Sequence, residues 1–274
     1  MQDKTNIGNV IRHVVNDHNS TGRLDEPFYV VDVEDIIEKY RKLLKYMPRV
    51  KQYFAVKSNP SPIVLEILAG LGMSFDCASR GEIEAVLKLG VSPDRIIYAH
   101  PVKARSHIAY AAQVGVKEMT FDNEDELHKV QKLHPGADMV LRIAVNTEKY
   151  SKLPLTKKFG ANLQQVRHLL LVARKLGVNL CQLGEAYTKA ICDAKYVFDQ
   201  GKELGFNMHL LDIGGGFSGT ITALNKTPDQ MARIVHNALE LYFPANTTIN
   251  LTIISEFGRY YGVVHKVHAH FPYN

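Results

Sequence analysis

From Tyr53 onward the sequence alternates two textures. Short apolar runs appear at "YFAVKSN", "SFDCAS", "RIIYAH", "EMTFDN", "MVLRIAV", "HLLDIGGG" and "TIISEFGRY". The longer stretches between them, such as "RGEIEAVLKLG", "EDELHKVQKLHPG" and "NLQQVRHLLLVARKLG", space their apolar residues as a helix with one buried face requires. Glycine follows the last periodic residue at Gly90, Gly115, Gly177 and Gly205, where a left-handed helix cap is wanted. Repeats of this length give parallel strands with right-handed crossovers, because each helix must return over the sheet.

The number of repeats separates an open doubly wound sheet from a closed barrel. Seven strands are clear, and between Val145 and His209 only "VNLCQL", 178–183, offers another. It is short and runs almost directly into the next helical stretch. The expectation is an α/β chain folded as a (β/α)8 TIM-type barrel, its sixth strand shortened or missing. Upstream, "PFYVVDVEDIIEKYRKLLKYMP" predicts a strand and a helix leading into the repeat, after twenty-odd residues that stand outside it.

Composition narrows the classes. With 274 residues, 46% hydrophobic and 22% charged, the chain can bury a large core. Its net charge of +5 comes from 33 basic and 28 acidic residues dispersed along the whole length, which argues against a nucleic-acid partner. No run reaches the about 18 apolar residues of a membrane span, and the first twenty residues have neither a signal-peptide nor a transit-peptide pattern. A cytoplasmic protein with no membrane partner is expected. Cys77, Cys181 and Cys192 form no C-x-x-C pair and read as free thiols. His265, His268 and His270 lack a fourth ligand at zinc spacing, so no metal is expected.

In a barrel of this kind, chemistry gathers at the C-terminal strand ends. Polar residues stand there repeatedly: Lys57, Asp76, Ser79, His100, Asp122, Arg142 and Glu256. Helix capping accounts for Asp122, before "NEDEL", and competes for Ser79. It does not account for Lys57 or Arg142, long cations that need a partner in a barrel mouth. In "LLDIGGGFSG", Gly214, Gly216 and Gly219 satisfy G-x-G-x-x-G, but the next helix waits until about Pro228, which rejects a dinucleotide fingerprint. Glycines late in a barrel fit backbone amides brought close to a phosphate, with a tight turn as the plainer reading. "ISEFGRYYG" adds an anion, Glu256, and a bidentate donor, Arg259, around Phe257 and Gly258. A lysine nucleophile, a phosphate cradle and a carboxylate for a ring nitrogen are what pyridoxal 5'-phosphate requires.

These motifs resemble the eukaryotic ornithine decarboxylases, barrel-type (fold type III) pyridoxal phosphate enzymes. "PFYVVD", "FAVKSN", "FDCAS", "RIIYAHP", "TFDNEDEL", "VLRIA", "KFGA", "DAKYVFD", "LLDIGGGFSGT" and "SEFGRYY" occur in that family's order from about Pro27 to Tyr261. The resemblance implies a Schiff base on Lys57, with Asp76 and Arg142 in the cofactor pocket and Glu82 in support. It implies that Gly214, Gly215, Gly216, Phe257, Gly258 and Arg259 hold the cofactor's phosphate end and that Glu256 pairs with the pyridine nitrogen. The implied reaction is loss of CO2 from an amino-acid substrate, L-ornithine, giving putrescine in polyamine biosynthesis. Ornithine rests on the resemblance alone, and lysine, arginine and diaminopimelate stay open.

Three departures follow. Where the family has "SFHVGSG", with a His on the pyridine ring and a Ser on the phosphate, this sequence has "NLCQLGEAYTK". The sequence ends at Asn274, soon after "GRYY", so a barrel without the family's C-terminal β-domain is expected, and with it a doubtful homodimer. The family's "EPGRYY" reads "EFGRYY". The expected division is a segment at 1–26, a cofactor-binding barrel at 27–261 and a divergent tail at 262–274. A chain so altered is expected to bind cofactor weakly and decarboxylate negligibly. The alternative is a non-catalytic protein resembling the antizyme inhibitors, with antizyme as partner.

Overall fold

A computed structural model describes residues 7–23, 26–144, 159–184, 187–217, 219, 227–246 and 250–261, with 181–184 and 187 described by backbone alone. Eight strands alternate with helices: β1 (Val50–Ala55), β2 (Ser74–Cys77), β3 (Ile96–Tyr98), β4 (Glu118–Phe121), β5 (Asp138–Arg142), β6 (Asn179–Gly184), β7 (Leu210–Asp212) and β8 (Thr252–Glu256). All are parallel, each pairs with the next, and β8 pairs with β1 to close the barrel. The crossover helices are α3 (Pro62–Gly70), α4 (Arg80–Leu87), α5 (Arg105–Val114), α6 (Glu124–Leu133), α7 (Leu163–Lys175), α8 (Tyr187–Glu203) and α9 (Pro228–Tyr242). Helices α1 (Ile7–Ser20) and α2 (Val33–Tyr46) precede them, and a single turn, α10 (Gly258–Tyr261), follows β8.

The repeat read from the apolar pattern is borne out, and Gly90, Gly115, Gly177 and Gly205 all take positive φ. Two details need correction. The sixth strand is neither shortened nor missing: Asn179–Gly184 is six residues long and bonded to both neighbours. Its polar Asn179 and Gln182 hide it from an apolar count. Its register against β5 shifts between Met139 and Val140, so that Cys181 is an extra residue and the strand bulges. What is short is the connection after it, since α8 begins at Tyr187. The other correction lies upstream. Residues 27–32 form no strand; they lead to Asp32, whose carboxylate caps α2 by accepting from the Asp35 amide at 3.0 Å. The tail at 262–274, with its three histidines, lies outside the described residues.

Two apolar layers hold the barrel. Tyr53, Ile97, Ala99, Val140, Leu210 and Ile254 fill its interior. Phe54, Phe75, Cys77, Met139, Leu141, Leu211 and Ile253, their neighbours in sequence, face the helices in the larger outer core. This two-residue alternation fixes the side of each strand-end residue. Two positions past inward Val140, Leu210 and Ile254 come Arg142, Asp212 and Glu256, all at the C-terminal mouth. Among the described residues no helix is long and apolar enough to cross a membrane, and no cluster of His, Cys, Asp or Glu is grouped to hold a metal ion.

Candidate active site

The mouth gathers Lys57, Asp76, Arg142 and Glu256 from among the residues that the sequence singles out. Lys57 sits on a one-turn 3-10 helix, Val56–Ser58, directly after β1, so its amine leaves the strand end toward the barrel axis. Its Nζ lies 3.3 Å from Asp76 Oδ2 at the end of β2. The Lys57 side chain is 55% exposed, whereas that of Asp76 is fully buried. The second oxygen of Asp76, Oδ1, is buried with no hydrogen-bond partner. A carboxylate so placed wants a further donor in the mouth.

Behind Asp76, Ser79 caps α4 by accepting from the Glu82 amide at 3.3 Å, as the capping pattern predicted, and Glu82 Oε2 accepts from the Ala78 amide at 2.6 Å. Glu82 thereby braces the turn that carries Asp76 and adds a carboxylate to the field at Lys57. Capping does not explain Asp122. Asn123 is the residue that caps α6, while Asp122 Oδ2 accepts from the Gly160 amide at 2.8 Å and ties residues 159–161 to β4. There Phe159 meets the His100 ring edge-on at 5.8 Å, and the Arg142 guanidinium lies 5.7 Å over its face.

The adjoining wall, on the other side of β1 from Asp76, is the end of β8 with the glycine loop after β7. Gly214 (φ 68°) and Gly216 (φ 104°) occupy left-handed backbone that an L side chain resists. A Cβ on Gly215 would stand 2.5 Å from the Glu256 carbonyl oxygen, and one on Gly258 about as near to Ala55 Cβ as 3.1 Å. Phe257 is brought to the same place but turned away: its amide donates to the Tyr53 carbonyl at 2.7 Å and its ring packs on Phe217. Arg259 is exposed on the first turn of α10.

Electrostatically the mouth is crowded with acids. Burial first, then the neighbouring Glu256, pushes the Asp76 carboxyl up to about 8, against the opposing pull of Lys57. Burial and Glu256 likewise raise Asp212 well above the usual carboxylate range. Burial alone would lower Lys57, but Asp76, Glu256 and Glu82 together raise it. These directions are compatible: crowding by acid neighbours disfavours the ionised form of Asp76 and Asp212, and the same acids favour the protonated amine of Lys57.

Asp212 went unnoticed in the sequence, where "LLDIGGG" was read for its glycines. Its Oδ1 accepts from the Gly214 amide at 2.8 Å, and its carboxyl is hydrogen-bonded to Glu256. The available signal was its register, two positions past inward Leu210. Ser255, also overlooked, is fully buried and donates to the Gly214 carbonyl at 2.6 Å.

The barrel and its mouth define a class. Residues 33–263 match the family model for the pyridoxal binding domain of pyridoxal-dependent decarboxylases, and the chain belongs to that family. Its cofactor is pyridoxal phosphate. The unfilled Asp76 oxygen and the side-chain-free cradle at Gly215 and Gly258 fit that group. Within the family the chain is of the eukaryotic ornithine-decarboxylase-like kind. It is 46% identical over 262 residues to antizyme inhibitor 2 of Xenopus laevis, covering 92% of this chain and 56% of that protein. It is 44% identical over 246 residues to ornithine decarboxylase of Rattus norvegicus, covering 86% and 52%. Among solved structures, the arginine decarboxylase of Paramecium bursaria Chlorella virus superposes with a TM-score of 0.85 at 30% identity, covering 92% of this chain and 68% of that one. The chain spans about half the length of these curated relatives.

Proposed function

We propose that the chain is the cofactor-binding barrel of an ornithine-decarboxylase-type enzyme acting on a basic L-amino acid, with ornithine as substrate. The observation that carries this reading is the Lys57 amine held 3.3 Å from a buried Asp76 whose other oxygen lacks a partner. When bound, pyridoxal phosphate supplies an electron sink for the charge left as CO2 departs. The chain's own residues do the rest. Lys57 anchors the reacting end, and Asp76, braced through Glu82, orients its amine. Glu256, bonded to Asp212, holds the proton at the ring nitrogen. Gly214, Gly215 and Gly216 bring backbone close to the phosphoryl group, and Gly258 and Arg259 close the cradle from β8. Arg142, beneath Phe159, lines the side opposite.

The test is chemical trapping. Incubation with pyridoxal phosphate followed by borohydride should leave a stable adduct on Lys57, read by peptide mass. An adduct scattered over surface lysines, or none, would overturn the reading. Turnover is a separate matter. β6 places Gly184 in register with Arg142 and Asp212, so the strand adds no side chain to the mouth there. Release of CO2 by this chain is therefore expected to be negligible.

A second reading is favoured by the 46% identity to an antizyme inhibitor: a non-catalytic protein that binds antizyme. Antizyme capture by a chain that fails the Lys57 trapping would select it. Retention of Lys57, Asp76, Arg142, Glu256 and Arg259 supports the first reading.

A further inference from the structure

We infer that Ser255 is a positioning residue for the phosphate-holding loop, acting through the Gly214 peptide. The inference rests on the cofactor reading above. Ser255 lies between inward Ile254 and Glu256 on β8, so its side chain faces the outer core, where it has no exposure. A hydroxyl there is costly unless bonded, and it donates to the Gly214 carbonyl at 2.6 Å.

That carbonyl also accepts from the Glu256 amide at 3.1 Å, while the Gly214 amide donates to Asp212 at 2.8 Å. The peptide groups on both sides of left-handed Gly214 are thus held by side chains of two adjacent strands. The next residue, Gly215, has no room for a Cβ beside the Glu256 carbonyl, so the loop runs close to β8 where Gly214 is tied. Without the hydroxyl, the Glu256 amide is the remaining donor to that carbonyl among the described residues. The Gly214–Gly216 turn then loses one tie at the spot where a phosphoryl group would rest. Lys57 and Asp76, after β1 and β2, bond each other and not Ser255.

The chemistry predicts a selective defect. The probes are pyridoxal phosphate and pyridoxal, which differ only in the phosphate, each titrated against the chain and fixed on Lys57 with borohydride. In Ser255→Ala the dissociation constant for pyridoxal phosphate should rise about five- to tenfold, the worth of one buried hydrogen bond. That for pyridoxal should stay within about twofold, which also certifies a folded barrel. Ser255→Thr, which keeps the hydroxyl, should retain the wild-type ratio of the two constants. An unchanged ratio in Ser255→Ala, or an equal weakening of both probes, would overturn the inference while leaving the cofactor reading intact. Failure of the unaltered chain to trap either probe on Lys57 would overturn both.

Discussion

Glu118 opens β4 at the end of the barrel opposite the mouth, with carboxyl oxygen Oε2 buried and lacking a hydrogen-bond partner. It stands in register with Asp138 on β5. Burial, and then the Asp138 charge, push its carboxyl up to about 7, against the pull of Lys51. The folded chain therefore keeps a proton there that the unfolded chain surrenders near the ordinary carboxylate value. Stability must fall as pH rises from about 4.5 through about 7, since the folded state binds more protons across that window. Glu118→Gln removes the titration. It should stabilise the chain by about 2 kcal/mol at pH 8 and change little at pH 4, as read by urea unfolding at both values. An equal effect at both pH values would mean that the carboxyl is not the source. Single residues were legible where position alone implied a demand. Lys57, Asp76, Arg142 and Glu256 announced themselves as polar groups closing apolar runs. Asp212 and Ser255 did not, because their roles depend on which face of a strand is buried and which glycine lies across from it.

The connection from β3 to α5 shows how an element is held by a group that no motif predicts. Lys103 Nζ, with no side-chain exposure, meets Glu126 Oε1 at 2.8 Å, donates to the Thr120 carbonyl at 2.6 Å and to the His100 carbonyl at 3.2 Å. Lys129 lies 2.5 Å from the other Glu126 oxygen and donates to the Lys103 carbonyl at 2.6 Å. One ammonium thus pins β4, α6 and the backbone of His100 together. Burial lowers Lys103 to about 8 even though Glu126 opposes the change. Removing the cation should therefore cost far more than an exposed pair would, because it leaves Glu126 short of a partner away from water. Lys103→Met is expected to lose about 3 kcal/mol in urea unfolding, and adding Glu126→Gln should cost less than the sum of the two. A loss below about 1 kcal/mol would mean that Lys129 alone satisfies the carboxylate. The alternation of textures located seven strands and their helices because burial follows a two-residue or 3.6-residue period. It failed where other rules governed: β6 carries polar residues and a bulge, and "PFYVVD" has strand-like residues yet leads into a helix cap at Asp32 and forms no strand.

Closure of the barrel is a property of the whole chain; the count of repeats predicts it, and only the completeness of the sixth strand escapes the local pattern. A missing sixth strand would leave β5 and β7 with open edges, since strand number, tilt and shear are linked. Instead β6 bonds along β5 from Asp138–Asn179 to Arg142–Gly184 and along β7 from Gln182–Leu210 to Gly184–Asp212. The outer core is correspondingly continuous, running from Ile36 on α2 through every strand layer to Tyr261 on α10. Tyr261 reinforces this from the inside of that layer, donating to Gln52 on β1, whose amide reaches the Tyr40 carbonyl on α2 at 3.3 Å. A ring of eight mutually bonded strands has no weak seam at which to open first, so unfolding should be all-or-none. The chain has no tryptophan but 13 tyrosines, buried and exposed, which makes near-ultraviolet circular dichroism a reporter of packing. That signal and the far-ultraviolet helix signal should fall together in one urea transition, with superimposable midpoints. Separate transitions, with tyrosine packing lost first, would mean that β6 does not hold its neighbours and that the barrel behaves as two arcs.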